Sequence, residues 1–62
     1  MAYTPRYHAD VNFTREDGRL SMCQTLSYVN RADAEKEAYE IEGVLMQIGC
    51  TDIKTYIREI RC

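Results

Sequence analysis

Long apolar runs are missing from the sequence, and their absence restricts where the protein can reside. No stretch approaches the about 20 apolar residues needed to span a membrane. The first ten residues, MAYTPRYHAD, are polar and aromatic, unlike the apolar centre of a signal peptide. We therefore expect a cytoplasmic protein that does not associate with membranes.

Cysteine is scarce and odd in number, with only Cys23, Cys50 and Cys62. Three cysteines cannot all pair within one chain, and a reducing compartment favours free thiols. We expect Cys23 and Cys50 to be buried as small apolar side chains. The terminal position of Cys62 leaves open a disulfide between two chains.

Residues that bind metals or phosphates are equally sparse. His8 is the one histidine, and no two cysteines stand at the short spacing of zinc modules. The three glycines form neither a GxGxxG pattern nor a P-loop. His8 and Asp10 are neighbours on one strand face, but catalysis also needs a nucleophile or a cleft, which 62 residues hardly enclose. We expect a protein that is not an enzyme and uses no metal or cofactor.

The short chain also limits its own core. A domain of this size buries only about 60% of its unfolded surface, so a disulfide, a metal or a second copy usually adds stability. The net charge of −2 argues weakly against binding to nucleic acid. Acidic residues concentrate at 31–48, whereas the rest of the chain is close to neutral and richer in arginine.

Periodicity predicts one α+β domain over residues 1–62, with element order β-β-α-β. Strict alternation predicts a strand at 6–14, an Asp-Gly turn follows at 17–18, and strands at 19–29 and 52–61 flank a helix at 31–48. The helix should pack on a three-stranded, mostly antiparallel sheet. We favour pairing of the third strand with the first, which makes the first strand central; parallel pairing with the second strand is the alternative.

Local signals refine this prediction at the ends of the elements. Gln24 interrupts the pattern of the second strand and suggests a bulge there. Asn30 is a good N-cap, and Gly49 suits a left-handed residue after the helix. Apolar residues at helical spacing define a core stripe, widened by Val44: Ala34, Ala38, Ile41, Leu45 and Ile48.

A second line on the helix lies away from that stripe and consists of Ala32, Tyr39, Gly43 and Met46. Glycine inside a helix is about 1 kcal/mol less favourable than alanine, and close approach by another backbone would offset this. Tyrosine and methionine are enriched in contact surfaces. We predict that this outer helix line contacts a partner.

The third strand supports the same conclusion. If Ile53 and Ile57 pack under the helix, Tyr56 and Ile60 lie on the opposite sheet face, where Cys23 and Val29 would join them. An open sheet with apolar groups on its bare face calls for a cover, and a second copy of the chain supplies one by symmetry.

Together these features predict a small non-catalytic protein-binding or regulatory module that forms a homodimer. Small proteins of this kind are common in phages and other mobile elements, where many inhibit host proteins, so an inhibitor is one expectation. An alternative is single-stranded nucleic-acid binding on the open sheet face through Tyr7, Lys54, Tyr56 and Arg58. Another is a nucleotide or metabolite bound at a dimer interface, with His8 and nearby arginines lining it.

Overall fold

The computed structural model describes residues 4–60, which form one helix packed on one face of a three-stranded sheet. The elements are β1 (Arg6–Thr14), β2 (Leu20–Gln24), α1 (Arg31–Gln47) and β3 (Thr51–Ile60). The sheet order is β2-β1-β3, and both pairings are antiparallel. The α+β prediction and the central position of the first strand are confirmed, and the parallel alternative is wrong. Within residues 4–60, α1 is too short and polar to cross a membrane.

The strand register decides which side chains meet the helix. Val11 lies opposite Cys23 of β2 and Thr55 of β3, so these three residues share one sheet face. Ile53 and Ile57 are half-buried on the same face and pack against the core, as predicted. The prediction that Cys23 lies on the opposite face is wrong. The reason is that pairing with the buried Val11 turns Cys23 toward the helix. The buried core cluster consists of Ala9, Val11, Phe13, Ala38, Leu45 and Cys50.

The C-terminus of α1 is closed by two backbone hydrogen bonds around Gly49. The Gly49 amide donates to the Met46 carbonyl (3.2 Å) and the Cys50 amide to the Leu45 carbonyl (2.9 Å). Gly49 has a φ of 92°, which confirms the predicted left-handed residue. This is the Schellman arrangement, and its usual apolar contact is made here by Leu45 and Cys50, both members of the core cluster.

Two residues assigned to the core stripe by periodicity are exposed instead. The helix ends at Gln47, so Ile48 is the C-cap with a non-helical backbone and is 58% exposed. Val44 is 57% exposed. The helix packs mainly on β1 and β3, so the side of the helix that Val44 turns toward β2 stays uncovered.

The N-terminus of α1 begins as predicted but is capped differently. Asn30 is the N-cap with an extended backbone, yet its side chain makes no capping hydrogen bond. The Asn30 carbonyl accepts from the Asp33 amide at 3.2 Å, and Asp33 places a carboxylate in the first turn. The helix start therefore relies on backbone closure and on charge at the positive end of the helix dipole.

The second strand is shorter than the predicted 19–29, because the chain leaves regular pairing after Gln24. The Thr25 amide donates to the Ala9 carbonyl, but the Ala9 amide donates to the Thr25 hydroxyl at 2.8 Å instead of to a carbonyl. Tyr7 then pairs with Tyr28, one residue out of register. The predicted bulge thus follows Gln24, and Val29, expected on the open sheet face, lies beyond the strand.

The hairpin between β1 and β2 confirms the predicted turn. The Gly18 amide donates to the Arg15 carbonyl and the Arg15 amide to the Arg19 carbonyl, which closes a short loop around Gly18 with φ 87°. At the other edge β3 contains a second irregularity, where Asp52 adopts a φ of 52° as the register with β1 shifts. Arg61, the last residue of the predicted third strand, lies outside the described residues, as does Cys62.

Candidate functional site

Three surfaces of the fold carry the residues of interest. The β2 groove lies between α1 and β2 and is lined by Cys23, Ile41, Val44, Leu45 and Ile48. The outer helix line is Ala32, Tyr39, Gly43 and Met46, all exposed. The open face is the sheet surface turned away from α1, and by register it carries Arg6, His8, Asp10, Asn12, Leu20, Met22, Gln24, Lys54, Tyr56, Arg58 and Ile60.

Asp10 occupies the centre of the open face and is buried although no helix covers it. Arg58 of β3 donates from Nε to its Oδ2, and Gln24 of β2 donates from Nε2 to its Oδ1 at 2.9 Å. His8 Nε2 lies 3.2 Å from Oδ1, so the predicted His8–Asp10 neighbourhood is confirmed. One carboxylate thus holds side chains from all three strands.

The pKa of Asp10 reflects two opposing effects. Burial raises the pKa, because it disfavours the charged carboxylate. The hydrogen bonds from Arg58 and Gln24, together with the positive charge of Arg58, lower it and outweigh burial, so the pKa of Asp10 lies below its ordinary value. Asp10 is therefore a charged, fully partnered group, and its role in this geometry is to bind the strands to one another.

Cationic groups surround this cluster on the open face. Lys54, Tyr56 and Arg58 follow one another at alternate positions of β3, which confirms that Tyr56 points away from the helix. A depression of about 600 Å³ lies between Leu20 of β2 and the β3 residues Asp52, Lys54 and Tyr56. This end of the open face presents an aromatic ring beside one lysine and one aspartate.

Tyr7 does not belong to that surface, which corrects the predicted nucleic-acid set. It lies on the helix side of β1, where its hydroxyl is 3.5 Å from Glu59 and its backbone pairs with Tyr28. The structure therefore brings Lys54, Tyr56 and Arg58 together and separates Tyr7 from them. The reason is the alternation of β1, which sends Tyr7 to the same face as Ala9.

Acidic residues of the helix are partly used inside the fold. Glu37 accepts from the Tyr28 hydroxyl at 2.5 Å and from the Leu26 amide at 3.3 Å, and Glu42 accepts from the Thr55 hydroxyl. The hydrogen bond to Glu37 raises the pKa of Tyr28, with burial and the same negative charge adding to the effect. These contacts fasten the irregular segment 25–28 and β3 to α1.

The β2 groove is the most apolar concavity of the described residues. It consists of two adjoining depressions of about 330 and 480 Å³ that share Cys23 and Leu45. The groove forms because α1 packs mainly on β1 and β3 and leaves the helix-facing side of β2 uncovered. Exposed Val44 and Ile48, lost from the predicted core stripe, form its helix wall.

Charged residues line part of this groove, Glu37 and Glu40 in one depression and Arg15 and Glu16 in the other, but two chain segments that border it are uncharged. Residues 20–30 and 43–51 contain no Asp, Glu, Lys or Arg. Nine large apolar side chains of the described residues are exposed, and only Tyr39 and Tyr56 lie outside those two segments. Sequence periodicity did not identify this surface, but the two uncharged stretches were a visible signal for it.

The outer helix line matches its predicted exposure. Tyr39 and Met46 are 77% and 63% exposed, and a Cβ placed on Gly43 would meet open space. Nothing within residues 4–60 therefore packs against Gly43. Ile60, the remaining predicted contact residue, is half-buried on the open face opposite Arg6.

Neither a metal site within residues 4–60 nor a similar known protein indicates what these surfaces bind. Among the described residues, no three His, Cys, Asp or Glu side chains are grouped so that they could hold a metal ion. Cys50 is buried and Cys23 half-buried, both as free thiols. No protein-family model, curated protein or solved structure matches the chain.

Proposed function

We propose that this chain is a non-catalytic protein-binding module that associates with a second copy of itself. The observation that carries the proposal is the distribution of large apolar side chains. Among residues 4–60 nine of them are exposed, whereas the buried core contains only Val11, Phe13 and Leu45 besides alanine and cysteine. So much exposed apolar surface on so small a core is typical of an interaction site.

The β2 groove is the surface that best suits such an interaction. Its lining is mostly apolar, two of its bordering segments are uncharged, and its helix wall presents Val44 and Ile48 to solvent. Contact with another protein would remove these two apolar side chains from water. A regulatory or inhibitory role follows from such binding, because a module of this kind acts by occupying a surface of its target.

The test is the molar mass of the purified chain, measured by size-exclusion chromatography with light scattering over a range of concentrations. We expect a concentration-dependent mass above that of the monomer. Val44→Lys places a charge in the groove and should shift the chain to monomer. Gln47→Lys adds the same charge on the outward side of the same helix and serves as the matched control.

Two results would contradict the proposal. One is a strictly monomeric chain throughout the micromolar range. The other is a dimer whose mass is unchanged by Val44→Lys and by substitutions of Tyr39 and Met46. If Gln47→Lys and the Tyr39 and Met46 variants weaken association while Val44→Lys does not, binding takes place through the outer helix line instead.

A second candidate function, single-stranded nucleic-acid binding, is supported by the open face. Lys54, Tyr56 and Arg58 point outward in succession, and Arg6 lies on the same face. Tyr56 is half exposed and could stack a base while the lysine contacts phosphate. Fluorescence anisotropy with labelled oligonucleotides at low and moderate salt tests this candidate. Binding that is weakened by salt, by Lys54→Glu and by Tyr56→Ala supports it, and an absence of binding at low salt removes it.

A further inference from the structure

The sheet has an unprotected edge at β2. The backbone groups of odd-numbered residues in and beside β2 form hydrogen bonds toward β1. The Arg19 carbonyl accepts from the Arg15 amide, and the Thr25 amide donates to the Ala9 carbonyl. In an antiparallel ladder the backbone groups of alternate residues point to opposite sides. The amides and carbonyls of Leu20, Met22 and Gln24 therefore point away from β1, at the free edge of the sheet.

The two edges of the sheet differ in charge. β3 carries Asp52, Lys54, Arg58 and Glu59 over ten residues, and charged side chains on an edge strand discourage pairing with another chain. β2 carries none, and the uncharged stretch continues to residue 30. Two copies meeting along β2 would place no like charges opposite each other, which is the condition that a symmetric interface must satisfy.

Apolar side chains lie on both sides of this edge. Leu20 and Met22 are exposed on the open face, and Cys23 lies half-buried on the helix face beside the β2 groove. An edge of this kind, with free backbone groups and apolar side chains above and below, has the features of a strand-pairing site.

We propose that β2 pairs antiparallel with β2 of a second copy, with Met22 at the two-fold axis, to form a continuous six-stranded sheet. This inference rests on the self-association proposed above and names the surface and the register. Met22 exchanges backbone hydrogen bonds with the same residue of the other copy, and Leu20 does so with Gln24. Ser21 then faces Cys23 across a pair without backbone hydrogen bonds.

Symmetry determines the rest of the assembly. The two-fold axis of an antiparallel strand pair runs perpendicular to the sheet, so both helices lie on the same side. The two β2 grooves then open toward each other above the central strand pair. Val44 and Ile48 of each copy line one shared apolar cleft, and Leu20 and Met22 pack across the interface on the open face.

Met22→Pro tests the pairing, because it removes an amide that points outward and leaves the ladder to β1 intact. Met22→Thr keeps the amide and the strand preference but loses the same methionine side chain, so it is the matched reference for the proline variant. Sedimentation equilibrium should show self-association at least about tenfold weaker for the proline variant than for the threonine variant, since the symmetric interface loses two hydrogen bonds. Circular dichroism confirms that each variant is folded. If the wild-type chain self-associates and the proline variant does so as strongly as the threonine variant, the edge pairing is wrong while the proposed function stands. A monomeric wild-type chain contradicts both.

Ser21→Cys in a Cys62→Ser background tests the register. In a pair without backbone hydrogen bonds the Cα atoms are about 4.5 Å apart, within disulfide range. Oxidised glutathione should convert this variant to a covalent dimer, and peptide mapping should join position 21 of one chain to Cys23 of the other. The Cys62→Ser chain alone should not cross-link, because its Cys23 faces serine. A failure of the folded Ser21→Cys variant to cross-link, or a link through Cys50, would overturn the register.

Discussion

Asp10 and Arg58 are separated by 48 positions in the chain, and the Arg58 guanidinium donates a hydrogen bond to the Asp10 carboxylate at the centre of the open face. Asp10 is buried, whereas the Arg58 side chain is 65% exposed. The pair therefore joins a desolvated anion on the central strand to a cation on the edge strand. It explains how a sheet with one uncovered face keeps its strands in register.

Loss of Arg58 should destabilise the fold. In Arg58→Ala, Asp10 stays buried with only His8 and Gln24 beside it. We expect the free energy of unfolding to fall by about 1–2 kcal/mol. The loss is modest because the Arg58 side chain is largely solvated. Urea unfolding measures this, with Lys54→Ala on the same face as control. Equal stability of the two variants would show that the pair is not structural.

Asp10 should also make stability depend on acidity. Its pKa is lowered in the folded protein, so its contribution is fully present above the unfolded pKa of about 4 and is lost as the pH falls through the folded pKa. Asp10→Asn removes this dependence. Thermal unfolding from neutral pH to below pH 4 should show the stability difference between wild type and variant shrinking as the pH falls. A constant difference would contradict the assignment.

Thr25 should be essential to the bulge after β2. Its hydroxyl accepts from the Ala9 amide in place of a backbone carbonyl, and it also donates to the Leu26 carbonyl. Thr25→Val keeps the shape but leaves the buried amide unpaired, so we expect a loss of about 1–3 kcal/mol. Thr25→Ser retains the hydroxyl and should be milder. If valine and serine prove equivalent in urea unfolding, the hydroxyl is not needed.

Gly43 within α1 and Gly49 just after it should respond to alanine in opposite directions. Gly49 has a positive φ, so Gly49→Ala should be destabilised by about 1–2 kcal/mol. Gly43 is helical with open space around it, so Gly43→Ala should be more stable by about 1 kcal/mol. Thermal unfolding measures both. If the outer helix line contacts a partner closely at Gly43, the alanine variant will also bind that partner more weakly.

The raised pKa of Tyr28 should depend on Glu37. Its hydrogen bond to Glu37 raises its pKa, so this contribution to stability is present below the unfolded pKa and is lost as the pH rises through the folded pKa. Spectrophotometric titration follows the phenol transition of Tyr28, and Glu37→Gln should move that transition to lower pH. An unchanged titration curve in Glu37→Gln would rule out Glu37 as the cause.

Much of the fold was predictable, because the signals that define it are local. Alternation over Arg6–Thr14 identified the central strand and its inward residues, and Asp17-Gly18 and Gly49 marked the ends of elements through their backbone preferences. The exposure of Tyr39 and Met46 followed from helical spacing alone. The errors at Val44 and Ile48 arose because periodicity shows which side of a helix is apolar, but neither how much of that side the sheet covers nor at which residue the helix ends.

The candidate surfaces depended on long-range pairing instead. Sequence placed His8 beside Asp10, but only the register of β1 with β3 brought Arg58 to the same carboxylate and turned Cys23 toward the helix. The amino-acid sequence by itself determined the elements, their order and their amphipathic faces, since these follow from spacing and backbone preference. Tertiary structure alone decided which edge stayed open and which apolar residues stayed exposed, because the first depends on which strands pair and the second on how far one helix covers three strands.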